Sequence, residues 1–232
     1  MIKVIKLRPI LMGVGIILAS VLLSIGIVSV VTIKEIPKSV YTIVIDAGHG
    51  GRDNGCSGAN GTIESDINLK ISKTLKTYLE TLGIEVVMTR MDGNGLYSAN
   101  AENYKLSDME KRLEIIKNAN PDMVISIHQN SFSDSSQRGA QAFYQEGDDV
   151  SLGFAQSVQH QLKSQLVDAR SECNYGDYYI LKECRSPSVL IECGYLTNPD
   201  DEILLSSEDY QNKVAYSIMC GVVKYFDLCG ND

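Results

Sequence analysis

The sequence predicts an α/β fold: a three-layer sandwich with a mainly parallel six-stranded sheet and helices on both faces, preceded by one N-terminal transmembrane helix. Three observations carry that expectation. Short, almost wholly apolar runs such as "YTIVID" (Tyr41 to Asp46) recur along the chain, as strands covered on both faces require. Between them stand segments whose apolar residues return every three or four positions, the stripe of a half-buried helix. Ahead of both, Pro9 to Ile33 is twenty-five residues without a charge, longer than the about 20 apolar residues that cross a bilayer.

Lys3, Lys6 and Arg8 precede the apolar run, and Lys34 and Glu35 follow it. The positive-inside bias therefore keeps the N-terminus cytoplasmic and exports the rest. Residues 1–33 read as a cytoplasmic stub and transmembrane anchor, 34–40 as a linker, and 41–232 as the catalytic domain, membrane-anchored and extracytoplasmic. A cleaved signal peptide would have a shorter apolar region and small residues at its cleavage site, and no Ala-x-Ala pattern occurs in or just after the apolar run.

In chain order, "YTIVID" is the first strand. A helix from Ser65 to Leu82 carries Ile67, Ile71, Leu75, Tyr78, Leu79 and Leu82 on one stripe, and Gly83 can stop it. "IEVVMTR" is the second strand. Met91 to Tyr104 is polar, contains Gly93 and Gly95, and reads as a long loop of the kind that borders a site. Ser107 and Glu110 form a capping-box pattern for a helix reaching Ala119, which Pro121 stops. "MVISIH" is the third strand, "GAQAFYQ" the fourth, Ser151 to Leu166 a helix, "YYILK" the fifth strand and "PSVLIECGYL" the sixth. A last helix, Ser207 to Phe226, carries Tyr210, Val214, Ile218, Val222 and Tyr225 on one side. Repeated strand–helix–strand order implies right-handed crossovers, with ligands beyond the carboxyl ends of the strands.

Net charge is −8, from 29 acidic and 21 basic residues, and no basic block lies beyond the first eight positions, which argues against a nucleic-acid partner. The six cysteines contain no CxxC pair. At most one bridge is expected, with Cys173 to Cys184 the least strained pairing, and the others as buried or free thiols.

Of three histidines, His49 in "IVIDAGHGG" and His128 in "VISIHQNSF" stand where apolar strands run out into loops. His160 lies on the polar side of its helix and reads as solvated. Glycines at 48, 50 and 51 remove bulk around the first imidazole and permit a sharp turn. Two imidazoles with an acidic third ligand and an open position make a catalytic zinc site. Glu64 is placed to supply the acid, at the end of "GGRDNGCSGANGTIES" and the threshold of a helix. It would equally suit the helix dipole, worth about 0.3–1 kcal/mol. Glu192, inside "PSVLIECGYL", is an acid among apolar residues. Burial of an unpaired carboxylate costs several kcal/mol, so it must be paired, protonated or used. Near a bound cation it could act as general base and acid. Cys193 points to the opposite face and reads as core.

Together "IDAGHGG", Glu64, "VISIHQNS", "GAQAFY" and "PSVLIECGYLTNPDDEILL" resemble the zinc-dependent N-acetylmuramoyl-L-alanine amidases, the amidase type 3 family. The resemblance covers nearly all of Tyr41 to Phe226. It implies Zn2+ held by His49, Glu64 and His128, with Glu192 as the catalytic carboxylate acting on peptidoglycan. The single anchor, the lack of wall-binding repeats and "GAQAFY" are similar to the sporulation- or germination-specific subset, which prepares cortex peptidoglycan for muramic-lactam formation. Relatives are commonly controlled by accessory envelope proteins, so an activator is implied. The family often has Ala or Cys where Gln129 stands, a departure that bears on substrate preference. Arg52, Asn130 and the loop before Tyr104 are further candidates for contacts with glycan or peptide, with surface roles as the alternative. The same first shell would also suit a zinc peptidase cutting within the stem peptide, or an anchored wall-binding module whose metal is structural.

Overall fold

Six strands pair into one sheet: β1 (Thr42–Ala47), β2 (Glu85–Met88), β3 (Met123–Asn130), β4 (Gln141–Tyr144), β5 (Asn174–Tyr175) and β6 (Ser188–Tyr195), in the order β2-β1-β3-β6-β4-β5. This computed structural model describes residues 41–227. The expected anchor and linker, 1–40, lie outside the described residues. Among the described residues no helix is long and apolar enough to cross a membrane.

Strand alternation splits the sheet into two faces. Ile43 and Ile45 of β1, Ile125 and Ile127 of β3, and Val189, Ile191 and Cys193 of β6 face one buried cluster. There they meet α1 (Glu64–Thr81), α3 (Asp149–Gln165) and α6 (Glu208–Tyr225) through residues such as Leu75, Val158 and Ile218. Val44, Val124 and Leu190 face a thinner cluster on the other side, closed by Ile116 of α2 (Tyr104–Ala119) and by Ile180 and Leu181 of α4 (Tyr179–Glu183). Helices thus cover both faces. By the same period of two, Asp46, Ser126, His128 and Glu192 continue the thinner face toward the carboxyl ends of their strands.

The sheet is mixed rather than wholly parallel. β1 with β2, β1 with β3, β3 with β6 and β4 with β5 run parallel, but β4 runs antiparallel to β6. The cause is the β3-to-β4 connection, residues 131–140, which contains no helix. A parallel return needs a crossover of about a dozen residues or more.

Four local expectations are corrected. "YYILK" is mostly the short helix α4, and the fifth strand is the two-residue β5 before it. Ile180 and Leu181 are both buried in the thinner cluster, which a helical turn permits and an alternating strand would not. The helix α2 opens at Tyr104 under an Asn103 cap, whose side chain accepts from the Leu106 amide at 3.1 Å. Ser107 instead accepts from the Ser98 amide and ties down the preceding loop. A helix the pattern analysis passed over, α5 (Pro199–Ser206), follows "TN", with Asn198 as cap and proline in its first turn. Finally, Cys173 and Cys184 are free thiols, as are Cys56, Cys193 and Cys220. Cys173 packs on the thicker face and Cys184 on the thinner one, so the sheet separates them.

The thinner face contains a buried ion pair. Arg112 of α2 donates to Asp46 Oδ1 at 2.7 Å, with both side chains almost inaccessible. Ser126 and Thr89 also donate to this carboxylate, each at 2.7 Å. Burial alone would push the Asp46 carboxyl up, but Arg112 and Ser126 hold it down, to about 2. A depressed folded-state pKa contributes stability above the ordinary carboxylate range and loses it as pH falls. Acid should therefore remove this contribution between about pH 4 and pH 2. Arg112→Ala should destabilise the fold by about 3–5 kcal/mol through the uncompensated buried charge, and Asp46→Asn together with Arg112→Met should recover much of that loss. Urea unfolding of the single and double variants checks both.

Candidate metal centre

Past Ala47, β1 runs into Gly48-His49-Gly50-Gly51, and the bend needs uncommon backbone geometry. His49 has φ 61° and Gly51 φ 64°, both left-handed, a conformation disfavoured for histidine. Two buried arginines hold the bend. Arg90 donates to the Ala47 carbonyl at 2.8 Å and the Gly48 carbonyl at 2.9 Å. Arg112 donates to the Ala47 carbonyl at 2.7 Å and the His49 carbonyl at 2.6 Å. Three consecutive carbonyls leaving the sheet are thereby satisfied by guanidinium groups.

The His49 ring is oriented by Asp53, whose Oδ2 lies 2.8 Å from Nδ1. Lys105 backs the same carboxylate at 3.3 Å. With Nδ1 so engaged, Nε2 faces Glu64 Oε1 at 3.2 Å. Burial opposes charge on this imidazole, but Glu64 and Asp53 overcome it and raise its pKa to about 9. Carboxylates that favour a proton here also favour a metal cation.

Glu64 is the first residue of α1. The loop that delivers it is stapled to α5, because Glu202 accepts from the Asn60 backbone at 2.8 Å and from its side chain at 3.0 Å. Its Oε2 accepts from the Cys56 amide at 2.8 Å. Its Oε1 accepts from the Gln129 amide at 3.1 Å and from Asn68 at 3.3 Å. Burial pushes its carboxyl up, yet the hydrogen bonds from His128 and His49 hold it well below the usual carboxylate range.

His128 lies near the end of β3, with Nδ1 3.1 Å from Glu64 Oε1. Its ring rests directly on the Cα of Gly48, where any Cβ would collide with it. Gly48 thus makes room for His128 rather than for His49, the imidazole the sequence placed there. The two rings meet edge to face with centroids 5.0 Å apart. One ligand atom from each of His49, Glu64 and His128 lies within 4.8 Å of the others. Two imidazoles converging on one carboxylate oxygen fit the donor set of a hydrolytic zinc site.

Glu192, the Cα partner of His128 across β3 and β6, lines the same cavity of about 550 Å³. Tyr178 donates to its Oε1 at 3.4 Å, while its buried Oε2 has no hydrogen-bond partner. Burial raises its pKa to about 7, with His128 opposing and Glu64 adding to the rise.

Of the other candidates, Asn130 lines the cavity. Arg52 lies over the Tyr97 ring, 5.8 Å from its centroid. The loop before Tyr104 is pinned to the bend by the Gly51 amide donating to the Gly93 carbonyl at 2.8 Å. His160 is exposed on α3. Pattern reading missed Asp53, Asn68, Tyr178, Arg90 and Arg112. Only Asp53 carried a signal, four residues after a candidate ligand in a glycine-rich bend.

Gly48→Ala should displace His128 and lower the capacity of the cluster to hold a metal while leaving the fold intact, checked by metal analysis alongside thermal unfolding. Asp53→Ala should weaken zinc affinity about 10- to 100-fold, the usual cost of removing a ligand's orienting partner, measured by competition with a chromogenic chelator.

Residues 43–224 match the family model described as N-acetylmuramoyl-L-alanine amidase. The germination-specific N-acetylmuramoyl-L-alanine amidase of Bacillus subtilis is 32% identical over 85% of this chain and 84% of its own length. The structure of the CwlD amidase from Clostridioides difficile, in complex with the GerS lipoprotein, superposes with a TM-score of 0.77 at 38% identity, covering 81% of this chain and 98% of that one. The catalytic domain of CwlV, an N-acetylmuramoyl-L-alanine amidase from Bacillus (Paenibacillus) polymyxa var. colistinus, gives 0.72 at 31% identity, covering 81% and 99%. With its family matched over most of its length and an amidase fold built around a three-donor cluster, this chain belongs to the N-acetylmuramoyl-L-alanine amidases of type 3.

Proposed function

We propose that this protein is a zinc amidase that cuts the amide between the lactyl group of N-acetylmuramic acid and L-alanine of the stem peptide. It acts from a membrane anchor, on the outer side, during cortex maturation or germination. The observation that carries the mechanism is Glu192, which lines the cavity shared with the three-donor cluster and whose buried Oε2 has no hydrogen-bond partner.

His49, Glu64 and His128 would hold the zinc. When bound, it supplies Lewis acidity, polarising the substrate carbonyl and bringing the pKa of a water to about 7. Glu192 accepts the water's proton at Oε2, which a carboxyl poised near neutrality does readily, and returns it to the departing alanine amine. Tyr178 holds Oε1, which leaves Oε2 as the oxygen without a partner. Asp53 keeps the His49 ring turned, and the amides of Cys56 and Gln129 fix Glu64.

The germination-specific relative supports the cortex role. The related amidase bound to a lipoprotein supports control of this chain by an accessory envelope protein. The apolar run 9–33 with its flanking charges supports the anchor.

Glu192→Ala should retain zinc and lose about 10²–10⁴ in turnover, whereas Glu64→Ala should lose zinc. The assay is mass analysis of digested peptidoglycan beside metal content. Whole stem peptides and bare muramic acid are the expected products. A peptide remnant left on muramic acid would place the cut within the stem, and chelator-resistant cleavage would refute a zinc mechanism.

A further inference from the structure

A second cleft opens from the cluster on the thinner face of the sheet. It has a volume of about 270 Å³ and shares His49, His128 and Tyr178 with the first cavity, but Glu192 does not line it. Tyr97 and Tyr104, packed edge to face at 5.5 Å, form one wall. Tyr178, Tyr179, Met109 and Leu190 also line the cleft, as do Lys105 and Asp53, which pair with each other and are partly exposed. Asp46, Asp108 and Arg112 contribute to the same lining, whereas the first cavity has no aromatic lining besides Tyr178 and the histidines and is bordered by Asn130, Ser131 and Gln129.

The two clefts therefore differ in chemistry and meet at the cluster. A substrate amide has two sides, and the carboxylate that protonates the leaving amine must be near the amine. Glu192 opens only into the polar cavity, so the stem peptide leaves through that side. The acyl side is then directed into the tyrosine cleft. In a muramoyl amide, the carbonyl carbon is joined through the lactyl Cα and one ether oxygen to the sugar ring, so the ring must lie close to the reacting bond. The cleft volume is near the lower end of small-ligand pockets, about 300 Å³, which suits one ring-sized group better than a peptide chain. Aromatic faces cover the C–H faces of a pyranose, and the Lys105 and Asp53 pair offers a donor and an acceptor to its hydroxyl and acetamido groups.

We infer that this tyrosine-lined cleft is a subsite for the muramic acid sugar, and that Tyr104 and Tyr179 set the preference for a glycan-bearing acyl group. The inference rests on the amidase reading above. Its test uses the full-length, zinc-loaded protein and two substrates. One is an N-acetylmuramoyl peptide. The other is the same peptide acylated with (R)-2-methoxypropanoate, which keeps the lactyl ether and lacks the sugar.

Wild type should prefer the sugar-bearing substrate. Tyr104→Ala and Tyr179→Ala should each lower its kcat/KM by about ten-fold, the effect of about 1.4 kcal/mol of lost contact. Both should leave the sugarless substrate within about two-fold of wild type. Phenylalanine at either position should retain most of the preference, and unchanged zinc content shows that the cluster has survived. Tyr179 is exposed, so its variant also guards against a folding defect at Tyr104. Equal losses on both substrates, absence of preference in wild type, or losses that track stem length would each overturn the subsite. Failure of wild type to cut either substrate, with the accessory envelope protein proposed above also present, would overturn the amidase reading itself.

Discussion

Arg112 is the residue on which the geometry of the site depends. One guanidinium group neutralises the buried Asp46, reaches Asp108 on its own helix, and satisfies the carbonyls of Ala47 and His49. Replacing a buried ion pair with apolar residues is often neutral or stabilising, so net stability does not explain its presence. Its effect is on shape. A strand leaving a sheet exposes carbonyls that would otherwise be satisfied by continuing the ladder, and Arg112 and Arg90 accept that role in a buried setting where water cannot. With those carbonyls held, the backbone of His49 can sit in the left-handed region, and its ring lies between Asp53 and Glu64.

The two acids of the site show how one environment yields two electrostatic states. Burial pushes both carboxyls up, yet Glu64 is held far down and Glu192 is poised near neutrality. The difference lies in their partners. Glu64 touches both imidazoles and accepts two backbone amides, whereas Glu192 has one long hydrogen bond from a tyrosine. An acid surrounded by donors stays ionised and can bind a cation. An acid with a free oxygen can exchange protons, and environments that push two carboxyl groups apart in this way separate their roles.

Most of this was legible in the chain, for identifiable reasons. Strands buried on both faces produce continuous apolar runs, so β1, β3 and β6 stood out, and the residues where those runs fail are His49, His128 and Glu192. Glu64 was legible because a helix begins there. The "YYILK" segment misled because a short apolar run is compatible with strand or helix, and tertiary packing of Ile180 and Leu181 decided the matter. The antiparallel β4 followed from the length of a connection, which local pattern does not weigh. Arg90 and Arg112 were silent because the partners that shape the bend, residues 46 to 49, lie 42 to 66 positions away, and an arginine in a helical or strand pattern looks like any solvated charge. The resemblance to the amidases implied a ligand set, and the structure brings those three side chains together, but the resemblance did not disclose what holds them in place.

The supports of the ligands explain why a metal site can be built on a loop without losing precision. His49 and Glu64 are joined by a glycine-rich segment whose free ordering would cost about 1–2 kcal/mol per residue, an expense that a bound metal alone would have to offset. The fold orders the segment by other means. Glu202 and Ser206 of α5 hold Asn60 and Thr62, and the Cys56 amide closes the loop onto Glu64 itself. At the far end, the Gly51 amide is tied to the loop before α2. Gly55 remains compatible with this arrangement because a Cβ there would strike the Glu64 carboxylate. Donors held by contacts with α2 and α5 would bind a cation with less ordering cost than donors on a free loop, and affinity would then depend on residues outside the donor set.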